Sequence, residues 1–227
     1  MTHKTIKTVF AAAALLAGAA TLKASVDMQA RFGAGADFDI GGGLKLAVAT
    51  EQRLNNDLDT YYYGEYDIGL NMQVLDWLSV APTLRMAETR KNSSSSWVHE
   101  YRPMFNATLS YTFEGWKFED RNRFEWRNYE TSGSDSIVRY RNRVKISTPW
   151  KWTDYKVNPY ASAELFNDLN GKNSSLVNFE VAVGFSAAIP KTRASFDVYY
   201  MAELKETADT SHKHTANIAG AAVKFKF

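Results

Sequence analysis

Apolar and polar residues alternate with a period of two through most of the chain. The pattern is clearest from Trp116 to Ile146. In its first half Lys117, Glu119, Arg121, Arg123, Glu125 and Arg127 share one face, and Trp116, Phe118, Phe124 and Trp126 share the other. A polar turn, Thr131–Ser136, follows. Arg139, Arg141, Arg143 and Lys145 then oppose Val138, Tyr140, Val144 and Ile146. Successive side chains of a strand point to opposite faces, so the stretch reads as a two-faced hairpin.

The same period recurs along the chain. Leu44 to Leu54, Tyr61 to Val74, Leu78 to Met86, Val98 to Phe113, Pro159 to Phe166, Val177 to Ser186, Arg193 to Glu203 and Thr215 to Phe227 all alternate. Met28 to Ile40 is the least regular segment and ends in Gly41-Gly42-Gly43. Pro82 has no N–H to give a ladder, so a bulge or a missing bond is expected there. Connections alternate in length. Leu75-Asp76, Glu114-Gly115 and Pro190-Lys191 are tight, whereas the Ser- and Asn-rich ones between them are longer. Short turns at one rim and longer loops at the other are the pattern of outer-membrane barrels.

The N-terminus adds an address. Lys4 and Lys7 precede an apolar run, Val9 to Ala20, that is too short to span a bilayer. Residues 1–24 therefore read as a secretory signal, cleaved after Ala20 or Ala24. Residues 25–227 form a single barrel domain. Removing the signal takes away three lysines and no acid, which moves the formal net charge from +2 to −1. No nucleic-acid partner is implied. With no cysteine there is neither a disulfide framework nor thiol chemistry.

Energetics assigns the faces. An Arg or Lys facing lipid at mid-depth costs about 2–4 kcal/mol. Four in one strand would cost on the order of 10 kcal/mol, comparable with the roughly 5–15 kcal/mol of a whole domain. The expected fold is thus all-β: an antiparallel transmembrane β-barrel of about 10 strands, with 12 as the alternative, a charged lumen and an apolar, aromatic exterior. Eleven segments are visible, and both ends on one side require an even number. Ten strands leave the first segment as an irregular extension or plug.

The lumen-lining charges are expected to be Glu51, Arg53, Glu65, Asp67, Arg85, Glu100, Arg102, Glu119, Arg121, Arg123, Glu125, Arg127, Arg139, Arg141, Arg143, Lys145, Glu164, Glu180, Arg193 and Asp197. Symmetric turns set Arg85 across from Glu65 and Asp67, Glu125 near Arg141 and Arg143, Glu164 across from Arg143, and Glu100 diagonal to Arg127. Strict alternation places Asp120, Asn122 and Asn142 on the lipid face. A bulge, an interfacial position or an oligomer contact would each account for them. Tyr62, Trp77, Tyr101, Trp116 and Trp126 suit interfacial girdles.

The chain ends with Val223, Phe225 and Phe227 on one face, which resembles the C-terminal signal that barrel-insertion machinery reads. Several internal motifs carry a second resemblance. They are Glu51-x-Arg53, Trp77-Leu78-Ser79-Val80-x-Pro82 leading to Arg85, Asp120-Arg121-Asn122-Arg123-Phe124-Glu125-x-Arg127, Arg139-Tyr140-Arg141-x-Arg143 and Pro159-Tyr160-x-Ser162-x-Glu164-x-Phe166. With these the chain resembles bacterial outer-membrane barrels grouped as domain-of-unknown-function family 2490. The resemblance implies a barrel of unassigned activity.

The expected function is a narrow pore for small solutes in the outer membrane, with an arginine-rich lumen favouring anions. The alternative is a sealed structural or surface-interaction barrel. Its partners would be outer-membrane lipid, the insertion machinery and a small anionic solute. No cofactor is expected. Catalysis is not expected either. His99, His212 and His214 lie near outer loops, close to Ser93–Ser96 and Asp209, but no nucleophile motif accompanies them. His212-x-His214 lacks a third metal ligand.

Overall fold

The computed structural model describes residues 26–130, 135–170, 176–206 and 212–227. The proposed signal at 1–24, most of the Thr131–Ser136 turn and Asp209 lie outside them. The described residues form eleven strands: β1 (Asp27–Gly41), β2 (Leu44–Asn55), β3 (Thr60–Leu75), β4 (Leu78–Thr89), β5 (Val98–Phe113), β6 (Trp116–Tyr129), β7 (Ile137–Ser147), β8 (Asn158–Asp168), β9 (Leu176–Ala188), β10 (Ala194–Glu206) and β11 (His212–Lys226). Each pairs antiparallel with its neighbour in sequence, and the sheet closes on itself.

The closure corrects the strand count. Met28 to Ile40 is neither plug nor extension but the core of β1, which pairs with β2 on one edge and with β11 on the other. The β1–β11 pair is parallel, running from Asp27↔Ala216 to Asp37↔Lys226. A parallel seam removes the even-number requirement, because that requirement holds only where every neighbour is antiparallel. Consequently β1 starts at one rim and β11 ends at the other.

One rim carries the two-residue connections 42–43, 76–77 and 114–115, together with 148–157 and 189–193. The opposite rim carries 56–59, 90–97, 130–136, 169–175 and 207–211. The first is called the turn rim below, and the second the loop rim. The alternation of lengths is broken twice: the ten-residue connection 148–157 lies on the turn rim and is the longest of all, and 189–193 on the turn rim is as long as 207–211 on the loop rim. It folds on itself through the bridge Trp152↔Val157. At Glu114-Gly115 both residues have positive φ, 47° and 81°, which is the backbone of a type I′ hairpin. The β3–β4 register runs to Gly69↔Thr83 and resumes at Met72↔Val80, with Pro82 in the gap.

The two faces of the wall differ sharply. Ten of the eleven strands, all but β8, expose large apolar side chains, among them Phe32, Val48, Tyr66, Leu84, Phe105, Phe124, Val144, Val183, Phe196 and Phe225. Arg31, Glu65, Arg85, Glu100, Arg102, Glu125, Glu164, Glu180 and Glu203 are buried inside. Large tyrosines cross the interior where a glycine leaves room. Tyr199 pairs with both Gly184 and Gly220, and a Cβ on Gly220 would lie 2.0 Å from the Tyr199 ring. Tyr160 covers Gly184 in the same way from β8. Leaving glycine opposite an aromatic ring lets the ring lie flat against the backbone.

Asp120, Asn122 and Asn142 do sit on the outer face, in a stretch where neither ladder shifts register, so no bulge is present. They satisfy one another instead. Asn142 Nδ2 donates to Asp120 Oδ1 at 2.5 Å and to Asn122 Oδ1 at 3.2 Å, and the Tyr140 hydroxyl donates to Asn122.

Candidate functional site: the charged interior

The alternation of β2 to β10 directs their ionic side chains inward, where removal from water makes each one costly unless it is paired. Pairing is dense. Glu125 has no exposed surface, and its Oε1 accepts from Arg141 Nη1 at 3.0 Å and Arg123 Nη1 at 3.5 Å. Its Oε2 lies 3.6 Å from Arg102 Nη1. Glu100 receives both Arg102 and Arg127, each through two N–H groups. Such fork-to-carboxylate pairs are the strongest geometry available to arginine. Arg85 spans Glu65 at 2.5 Å and Asp67 at 2.7 Å. Glu164 Oε1 accepts from Arg121 at 2.5 Å and from Arg141 at 2.9 Å.

Most of the residues expected from the alternation are therefore brought together. Arg53 pairs with Glu51 at 2.6 Å, and Lys145 stands 4.0 Å from Asp197 and over the Tyr160 ring. Arg193 is not in the interior. It is exposed in the turn-rim connection, where its carbonyl accepts from Lys226 N. Glu119 pairs with the half-exposed Lys117 near the same rim.

The expected pairings hold in part. Asp67↔Arg85 and Arg143↔Glu164 are direct register partners, and Arg127 reaches Glu100 diagonally. Yet Glu125 contacts Arg141 and not Arg143, and Glu164 contacts Arg121 and Arg141 rather than its register partner. Long guanidinium arms reach diagonal neighbours as readily as direct ones. Arginines consequently stand directly opposite arginines at Arg121↔Arg143, Arg123↔Arg141 and Arg85↔Arg102.

Sequence reasoning missed Arg31, which bonds Glu180 at 2.9 Å and lies 3.7 Å from Glu203. It also missed two pairs nearer the rims, Arg139–Asp168 at 2.6 Å and Lys224–Asp37 at 2.7 Å. Arg31 and Asp37 belong to β1. Their even spacing from Gln29 was the available signal, obscured by Gly33 and Gly35.

A cavity of about 320 Å³ lies within the barrel. Its lining includes Arg31, Arg53, Arg85, Arg121, Arg123, Arg141, Arg143 and Lys145, against Glu51, Glu65, Glu164, Glu180 and Asp197. Cations thus exceed acids, eight to five. Lys145, Tyr160 and Asp197 place its β7, β8 and β10 walls in the turn-rim half of those strands. On the loop-rim side stand Glu100, Arg102, Glu125 and Arg127, whose strand positions are nearer that rim.

Among the described residues, no group of three or more His, Cys, Asp and Glu is placed to hold a metal ion. His214 Nε2 lies 3.1 Å from the Ala216 carbonyl. Phe225 and Phe227 are exposed and stacked, and Phe227 stacks on Phe38 at 5.2 Å. The Phe227 main chain is held by Asp37 O and Asp39 N, so the last residue is fastened to β1.

An all-β closed barrel with an ion-paired interior and an apolar outer wall is the class these features define. The chain belongs to the family described as protein of unknown function (DUF2490), whose model matches residues 28–214. No curated protein and no solved structure matches the chain.

Proposed function

We propose that the protein is an integral barrel of the bacterial outer membrane whose lumen is sealed at rest by the arginine–glutamate layer. The observation that carries this reading is the inversion of the wall, with large apolar side chains outward on ten strands and ten ionic residues, Asp37 among them, buried within. Contiguous exposed apolar surface on this scale is foreign to soluble monomers and matches hydrocarbon. The half-exposed Trp77, Tyr101 and Trp126, near strand ends, fit interfacial girdles. In this setting the turn rim faces the periplasm and the loop rim the exterior. Phe225 and Phe227 then form the edge presented to the insertion machinery.

Sealing follows from burial. Glu100, Arg102 and Glu125 are no more than 4% exposed, so a hydrated solute could pass only by breaking their pairs. The narrow-pore reading is kept as the second one, because the cation excess of the cavity favours anion passage if the layer opens.

Two measurements test this. The chain has no native cysteine, so single cysteines report without background. Ser94→Cys on the loop rim is expected to react with a membrane-impermeant maleimide on intact cells. Asp76→Cys on the turn rim is expected to react only after the outer membrane is breached. Equal labelling of both in a soluble fraction would end the membrane reading. In planar bilayers the purified protein is expected to give no unitary conductance steps at neutral pH. Regular anion-selective steps would replace the sealed barrel by the pore.

A further inference from the structure

We infer that the cavity wall formed by β6, β7 and β8 binds a small tetrahedral oxyanion, of which inorganic phosphate is the simplest. The inference rests on the barrel interior alone and does not depend on where the barrel resides.

Its basis is a set of donors that the ionic network leaves unused. Among the described residues Arg143 makes no hydrogen bond and no ion pair, although Glu164 is its direct register partner. That carboxylate is already taken by Arg121 and Arg141. Arg121 in turn uses only Nη2, while its Nε is buried without a partner. The Ser162 hydroxyl, on β8 beside Lys145, also has none among the described residues. Arg121, Arg143 and Ser162 all line the same cavity.

An arginine carries five N–H donors, and a buried donor left unpaired costs free energy. Arg121 and Arg143 also face each other directly across β6 and β7. Two like charges in register repel unless an anion lies between or beside them. A bound oxyanion answers both deficits at once. It accepts from Arg121 Nη1, which is unbonded and, unlike Nε, not closed off from the cavity, from the Arg143 fork and from the Ser162 hydroxyl, and it offsets the local excess of positive charge.

Donors arriving from three adjacent strands suit a tetrahedral group better than a planar carboxylate, whose acceptors lie in one plane. Room exists, since about 320 Å³ far exceeds the ~10–15 Å³ that a single water needs. Gly33, Ala182 and Ala222 keep part of the lining free of bulk. The barrel wall separates the site from lipid headgroups, so the ligand comes from solution.

The test uses the purified full-length barrel in a zwitterionic detergent. The thermal midpoint and the heat of titration are followed with inorganic phosphate, acetate, and chloride at matched ionic strength. Phosphate is expected to give saturable binding and a midpoint rise that chloride does not reproduce. Arg143→Gln is expected to weaken phosphate at least tenfold and to leave the unliganded midpoint within a few degrees, because this side chain has no ion pair to lose. Ser162→Ala is expected to weaken it several-fold, and Lys117→Gln to leave it unchanged. The inference is overturned if phosphate acts no differently from chloride, or if Arg143→Gln and Ser162→Ala both bind it as the parent does. Acetate binding as tightly as phosphate would overturn the tetrahedral assignment.

Discussion

Replacing Glu125 by Ala is expected to destabilise the folded barrel by about 3–5 kcal/mol, the usual cost of removing one member of a buried ionic cluster. Three guanidinium groups converge on this carboxylate, which has no exposed surface. Arg102 keeps Glu100 and Arg141 keeps Glu164, but Arg123 is left with only the Asn106 side chain. The loss is therefore concentrated on one stranded cation. Removing it as well, in a Glu125→Ala, Arg123→Ala double variant, is expected to cost less than the two single changes together, as neighbours in one network do. The contrast is Lys117→Ala, whose half-exposed pair with Glu119 is worth about 0–1 kcal/mol. Denaturant unfolding of the refolded barrel, followed by tryptophan fluorescence, measures all four. A loss below about 1 kcal/mol for Glu125→Ala would mean that water reaches this layer, and the sealed lumen would fall with it.

The barrel was legible because alternation with period two survives every interruption from β2 to β10. The bounds of most strands fall within a few residues of the pattern, and the ionic face is inside wherever those strands alternate cleanly. Arg141, Arg123, Glu125 and Glu164 were recognisable as interior residues from parity alone. Their particular partners were not. Parity fixes which side a residue occupies, while the choice between direct and diagonal neighbours depends on strand tilt and arm length. Hence Glu164 was assigned to Arg143, its register partner, and bonds Arg121 and Arg141 instead.

The seam was the larger gap. β1 carries Gly33 and Gly35, so its apolar face is thin, and no local pattern reveals that a strand pairs with one almost two hundred residues away. An even strand count follows only from antiparallel closure, and the parallel β1–β11 ladder supplies the other solution. Arg31 was lost with β1, although it is one of the most buried cations of the interior. Arg193 illustrates the opposite error. It continues the parity of β10 one step beyond the strand, where the chain has already turned to solvent.

Val183→Arg separates a barrel in hydrocarbon from a barrel in water more sharply than any change to the interior. Val183 is 55% exposed at the middle of β9, with Ala161 and Tyr200 beside it on the neighbouring strands. Its register partners are uncharged. On a water-exposed wall, such a substitution changes stability by about 0.5 kcal/mol or less, and the added charge improves solubility. On a lipid-facing wall at mid-depth it costs roughly 2–4 kcal/mol, falling towards 0–1 kcal/mol at the interfaces. The expected result is a loss in the upper range for Val183→Arg and a near-neutral Asp76→Arg at the turn rim, both read by reversible unfolding from phosphatidylcholine vesicles. A Val183→Arg chain as stable as its parent in vesicles would leave the apolar exterior without the solvent that explains it.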